Sequence, residues 1–201
     1  ATSVSTKAMS PRVAIALTSV MNFLGAMTFT GVARTITKDI VDPFALDNGS
    51  TIILAALIAA IIWNLVTWYY GIPSSSSHAL IGSIAGAAIA AAGFSIINFS
   101  GFGTIIKALI FSPLIAFIIG FIVYSIFKVV FKHNNLSKTN RRFRRIQIVT
   151  AALQAYSHGT NDAQKVMGII TMALIVNNYQ SHDDNQLWVQ FICALAIALG
   201  T

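Results

Sequence analysis

The sequence predicts an all-α protein, a polytopic bundle of transmembrane helices, some broken or re-entrant, forming one membrane domain over residues 1–201. Three observations predict it. Of the 201 residues, 56% are hydrophobic and only 9% charged, whereas a soluble domain carries about 25% charged residues. Apolar runs close to the length of a membrane span recur along the chain. Two short polar segments interrupt those runs, one rich in serine and one carrying His, Asn, Asp and Lys.

The apolar runs come in order. The first is Val13–Val32. The second, Thr51–Tyr70, ends in Trp68, Tyr69 and Tyr70, aromatics suited to a membrane interface. The third, Ala79–Ala92, is short and rich in Gly and Ala, which lets helices approach closely in lipid. The fourth, Ile105–Phe127, carries Pro113 and Gly120. Two shorter pieces follow, Ile146–Tyr156 and Val166–Val176, and a last run starts at Trp188. The second and third runs either cross fully or meet as a re-entrant hairpin, and in both cases the outer ends of the pair share one side.

The net charge of +7 is not that of a nucleic-acid-binding surface, because it is concentrated: seven of thirteen Lys and Arg lie between Lys128 and Arg145. Placing 128–145 as a basic cytoplasmic loop, beside anionic headgroups, puts Lys7 and Arg12 on the same side and Arg34, Lys38 and Lys107 on the other. The sequence then obeys the positive-inside rule. Asp39, Asp42, Asp47, Asp183, Asp184, His133 and His182 read as solvated loop residues, Asn22 and Asn64 as bonds across helices, and Cys193 as a small buried residue. The first residue is Ala1 and the last two, Gly200 and Thr201, directly follow an apolar run, so a piece of a longer protein is expected.

The first interruption is Gly71-Ile72-Pro73-Ser74-Ser75-Ser76-Ser77-His78. Pro73 ends the preceding helix, and a serine can cap a new one. Free N–H groups and hydroxyls would then converge at one helix start, a site for an anion. The competing reading is an exposed serine turn at the membrane edge. His78 reads as a packed histidine.

The second interruption is Ser157-His158-Gly159-Thr160-Asn161-Asp162-Ala163-Gln164-Lys165. A carboxylate at depth is expensive, so Asp162 is expected to be paired, coordinated or protonated. Ile146–Val176 totals 31 residues, too few for two spans and a loop. One span broken at Gly159 is therefore expected, with freed carbonyls, Asn161 and Asp162 offering oxygen to a small cation. Lys165, one turn on, can neutralise Asp162.

These residues resemble the inorganic phosphate transporters of the PiT type, in the bacterial low-affinity form. Pro73–Gly82 resembles that family's serine hairpin. Ser157–Gly168 resembles its Gly-Ala-Asn-Asp signature, and Asn22–Ala26 and Ile40–Pro43 match further stretches. The resemblance implies two inverted repeats, with 1–127 the end of the first and 146–201 the start of the second, and roughly half of a binding site in this chain. It implies phosphate binding by Ser74, Ser75, Ser76 and Ser77, with Thr2 and Ser3 as the tail of a first signature. It implies cation or proton coupling by Asn161, Asp162, Thr160, Gln164 and Lys165, with Na+ at Asp162 and Asn161 as the metal alternative. Thr160 stands where the family usually has Ala. Lys165 stands where the sodium-coupled branch often has Asn, and a fixed ammonium in a sodium ion's place favours H+.

The function expected is secondary symport of inorganic phosphate, alone or as metal-phosphate, with a cation across the cell membrane, by rocking of two repeats. No cofactor, enzyme activity or nucleic-acid partner is expected; the partners are phosphate, the coupling cation and the bilayer, with homo-oligomers open. Rival readings are another oxyanion such as sulfate, an intramembrane hydrolase using a serine of 74–77 with His78 or His158, and a structural membrane subunit.

Overall fold

The computed structural model describes residues 2–29, 31, 48–132, 135–180 and 186–201. Asp39, Asp42, Asp47, Asp183, Asp184, His133, His182 and the stretch Ile40–Pro43 lie outside the described residues. Among those described, the regular elements are helical: α1 (Thr2–Ser5), α2 (Pro11–Thr28), α3 (Gly49–Tyr69), α4 (Ser76–Ala92), a 3-10 turn (Phe94–Ile96), α5 (Phe99–Val130), α6 (Leu136–Val176) and α7 (Leu187–Leu199).

Two apolar clusters organise these helices. In one, Ala26 of α2, Ala163 and Met167 of α6, and Val189, Cys193 and Ala194 of α7 are buried together. Phe23 and Phe191 add an edge-to-face ring contact between α2 and α7. In the other, α3 and α4 close as a hairpin over Ile52, Ile53, Ala56, Ile84 and Ala88, and its open end packs on Ile169 and Met172 of α6. The Ser50 hydroxyl and Asn177 side-chain oxygen, 3.0 Å apart, pin the start of α3 to the end of α6.

The hairpin turn forms where the sequence places it. Gly71 adopts φ +65°, with Gly71 N–H donating to Trp68 O and Ile72 N–H to Thr67 O, which closes α3 in a Schellman motif. Pro73 follows, and Ser75 caps α4 by accepting from His78 N–H at 3.4 Å.

Two expectations are overturned. The segment Ser157–Lys165 does not break its span: α6 runs unbroken for 41 residues, from Leu136 to Val176. Its polar side chains bond back along their own helix, Asn161 Nδ2 to Ser157 O at 3.0 Å and Gln164 Nε2 to Thr160 O at 2.8 Å. They are satisfied without freeing a carbonyl. Most of the basic stretch 128–145 is helix rather than loop. Lys128 sits in the last turn of α5, and Lys138 to Arg145 form the first turns of α6. The Asn135 side chain caps that start by accepting from Ser137 N–H and Lys138 N–H, and Lys and Arg are good helix formers.

The outer surface is apolar. α3 and α5 are long and apolar enough to cross a membrane, at mean hydropathy 2.2 and 2.5, and none of the apolar window of α5 is buried. Leu54, Ile58, Ile61 and Trp63 of α3 and Ile115, Phe117, Ile118 and Phe121 of α5 all face outward. For a chain in water such a surface would be prohibitive; in hydrocarbon it is ordinary.

Candidate functional site

The site is built on the crossing of α2 and α6. Gly25 and Gly159 face each other's helices so closely that neither could carry a side chain. A Cβ on Gly25 would lie 2.1 Å from Tyr156 O, and one on Gly159 would lie 2.1 Å from Asn22 O. Small residues at such a crossing bring two backbones together in lipid. The Thr160 hydroxyl lies 3.0 Å from both Gly25 O and Tyr156 O, tying the crossing from the α6 side. Its added hydroxyl relative to Ala is therefore used in packing.

Beside the crossing, one hydrogen-bonded row joins α6 to α2 and to Thr201, two residues past α7. Lys165 Nζ pairs with Asp162 Oδ1. Asp162 Oδ2 lies 3.1 Å from His158 Nε2. His158 Nδ1 lies 3.3 Å from Asn22 Oδ1, and Asn22 Nδ2 donates to Thr201 Oγ1 at 2.8 Å. Lys165 and Asp162 are partly buried, and Asn22 is 1% exposed. Along the apolar part of α6, Asp162 lies about 24 Å from Ile146 and about 21 Å from Val176 at the helical rise of about 1.5 Å per residue. Asp162 thus sits near the middle of the apolar part of its helix, where a carboxyl group needs partners.

Next to this row lies an open cavity of ≈ 520 Å³ whose lining includes Thr2, Ser3, Thr18, Asn22, His158 and Thr201. α1 is held there by the Thr6 hydroxyl donating to Gln147 Oε1 at 2.8 Å. Thr2 and Ser3 thus share this cavity with His158 of α6, and not with the serine run.

The serine run does not join this cluster. Ser74, Ser75 and Ser76 are exposed and Ser77 half-buried. Among the described residues none of them hydrogen-bonds to Asn161 or Asp162. Counting the rise along α3 from the Ser50–Asn177 contact puts the start of α4 at about the depth of His158, so the two segments share a level without touching. Gln164 is buried at 1% exposure, with its amide donating to Thr160 O.

For a sodium ion the residues present are a poor fit. Both Asp162 oxygens are engaged, one by Lys165 and one by His158, and the neighbouring carbonyls are held within α6. A serine hydrolase is not supported either: Ser75 is bonded by the backbone, not the imidazole, of His78, and His158 points to Asp162 and Asn22.

The sequence reading expected Asn22 to bond across helices, and it does. It did not place His158 between Asn22 and Asp162. The available signal was the i, i+4 spacing of His158 and Asp162; the Asn22 partner lies 136 residues away.

Long apolar helices turned outward, together with an ionic row at the middle of a further helix, are the features of an integral membrane protein. The chain belongs to the phosphate transporter family, whose sequence model matches residues 1–201. It is 72% identical, over its whole length, to the "Probable low-affinity inorganic phosphate transporter" of Bacillus subtilis (strain 168), and covers 61% of that protein. It is 33% identical over 85% of its length to the "Low-affinity inorganic phosphate transporter PitB" of Escherichia coli (strain K12), covering 40% of it. A solved structure named "The sodium-dependent phosphate transporter" shares the fold at TM-score 0.86 and 22% identity, over 98% of this chain and 68% of that one. The chain therefore spans about three-fifths or less of these two curated relatives. These relatives are named as transporters, not as enzymes.

Proposed function

We propose that this chain is part of a secondary carrier that takes inorganic phosphate across the cell membrane by symport with a cation. The observation that carries the reading is the Lys165–Asp162–His158 row at mid-span of α6, in a chain of the phosphate transporter family. Phosphate is held by hydroxyls and N–H groups at the start of α4, from Ser74, Ser75, Ser76 and Ser77, and by Thr2 and Ser3 from the cavity beside the α6 row. A hydroxyl-rich helix start suits an oxyanion. Thr2 and Ser3 already lie with His158 on one cavity wall.

Coupling runs through Asp162, with Asn161 beside it and Lys165 as a fixed cation. Thr160 and Gln164 shape the α2–α6 crossing beneath. Because Lys165 and His158 fill the coordination of Asp162, H+ is favoured over Na+ as the coupling ion. The chain would hold the end of one inverted repeat in 1–127 and the start of the other from 146, with the basic helical corner 128–145 on the cytoplasmic side. Bringing the serine run onto the α6 row then requires the two repeats to rock against each other.

The test uses the full-length protein in proteoliposomes. Asp162→Asn should abolish gradient-driven phosphate uptake while the protein still inserts, and normal accumulation in that variant would overturn the assignment. A pH gradient, not a Na+ gradient, should drive uptake. Arsenate should compete with phosphate and sulfate should not; strong competition by sulfate would move the cargo to another oxyanion.

A further inference from the structure

We propose that the corner between α5 and α6 is a binding site for anionic phospholipid headgroups. Three phenylalanines build the corner: Phe127 and Phe131 at the end of α5 each contact Phe143 of α6, at ring-centroid separations of 5.8 and 5.0 Å. This staple sets Lys128 level with Arg142, Arg144 and Arg145, at the height where the apolar shafts of α5 and α6 begin. Arg141 lies on the same turn of α6.

All five of these cations are exposed. The sequence from Lys128 to Arg145 contains no Asp or Glu, and among the described residues none of the five forms an ion pair. Like charges crowded on two facing helix ends repel, so the corner is stabilised by counter-charge from outside the chain. What lies at that height is fixed by the neighbours. α5 is apolar and outward-facing up to Val130, and α6 turns apolar at Ile146. The cations therefore sit at the edge of the hydrocarbon, where phosphodiester groups are found, with the Phe rings packed among them at the same level. Guanidinium groups suit that ligand, since each offers two parallel donors to phosphate oxygens. The inference rests on the membrane placement of α5 and α6 and not on the cargo.

The experiment is native mass spectrometry of the full-length protein released from mixed phosphatidylglycerol and phosphatidylcholine micelles. Wild type should retain phosphatidylglycerol in preference to phosphatidylcholine. The Arg141→Gln/Arg142→Gln/Arg144→Gln/Arg145→Gln variant should lose that preference, by about fivefold per charge removed. Because removing basic residues can also disturb insertion, the wild type supplies a second measurement. Raising salt from 0.1 to 1 M should cut phosphatidylglycerol retention at least about tenfold, as the screening length falls from about 10 to about 3 Å. Equal retention of the two lipids, or indifference to salt, overturns the proposal. So does displacement of the lipid by millimolar inorganic phosphate or by a polyglutamate peptide, which would give the corner to a soluble anion.

Discussion

Gly159 of α6 lies against the main chain of Asn22 of α2 so tightly that a built Cβ would meet Asn22 Cα at 2.5 Å and Asn22 O at 2.1 Å. The contact sits one turn from the Asp162 pair, so whatever moves α2 moves the site.

Gly159→Ala and Gly25→Ala should therefore force α2 and α6 apart. Overpacking typically costs about 1–3 kcal/mol, and a backbone obstacle puts both variants at or above the top of that range. Fluorescence-detected thermal melts in detergent check this, with Gly120→Ala as the control, since a Cβ there meets nothing within 4 Å. Equal melting temperatures for Gly159→Ala and Gly120→Ala would contradict the crossing.

Lys165 and Asp162 should behave as a unit. Removing either leaves a partly buried charge short of a partner, so the losses of Lys165→Met and Asp162→Asn should sum to more than the loss in the double variant. A coupling of about 1 kcal/mol or more in the double-mutant cycle is expected. The double variant should fold and still fail to accumulate phosphate; restored uptake would remove the pair from the mechanism.

Thr160→Ala should keep uptake. The hydroxyl is engaged by Gly25 O and Tyr156 O, so its loss costs about 0.5–1.5 kcal/mol of stability and no ligand. A fall in uptake out of proportion to the amount of folded protein would instead make the hydroxyl part of the transport path.

Asn22→Ala should lower both stability and uptake. It opens the bonds to His158 and Thr201 and leaves a small cavity, at a cost of about 1–3 kcal/mol. Measured per folded molecule, uptake should drop because His158 is no longer held against Asp162. Unchanged uptake per folded molecule would make the row structural only.

Ser75→Ala should separate two effects in the serine run. Loss of the cap on α4 costs about 1 kcal/mol, seen as a lower melting temperature. Ser76→Ala, whose side chain caps nothing, should leave the melt alone and weaken phosphate binding in a titration. If phosphate affinity is unchanged in both, the run is a turn and not a site.

The legible parts of the fold were those written in local chemistry. Gly71, Pro73 and the serines announce a stop and a start within a few residues, and the hairpin closes there. The Lys165–Asp162 pair was legible because i, i+3 residues on a helix face are neighbours whatever the surroundings. Gly159 misled because a glycine among polar residues reads equally as a break or as a contact, and what decides is Asn22, far away in sequence. The basic stretch likewise read as a loop, when helix propensity and the Asn135 cap place Lys138, Arg141, Arg142, Arg144 and Arg145 in the start of α6. Where the serine run stands relative to Asp162 could not be read at all, since periodicity gives the depth of a segment but not its azimuth around the bundle.

From Ile110 to Tyr124 every residue of α5 faces outward, and the helix is anchored by Phe102, Ile105 and Leu109 at one end and by Phe127 and Phe131 at the other. Among the described residues no neighbour dictates the shape of those middle turns; solubility in hydrocarbon constrains them instead. Leu, Ile, Val and Phe should therefore trade places freely there, and this stretch should drift in sequence as fast as oiliness allows while its length stays fixed.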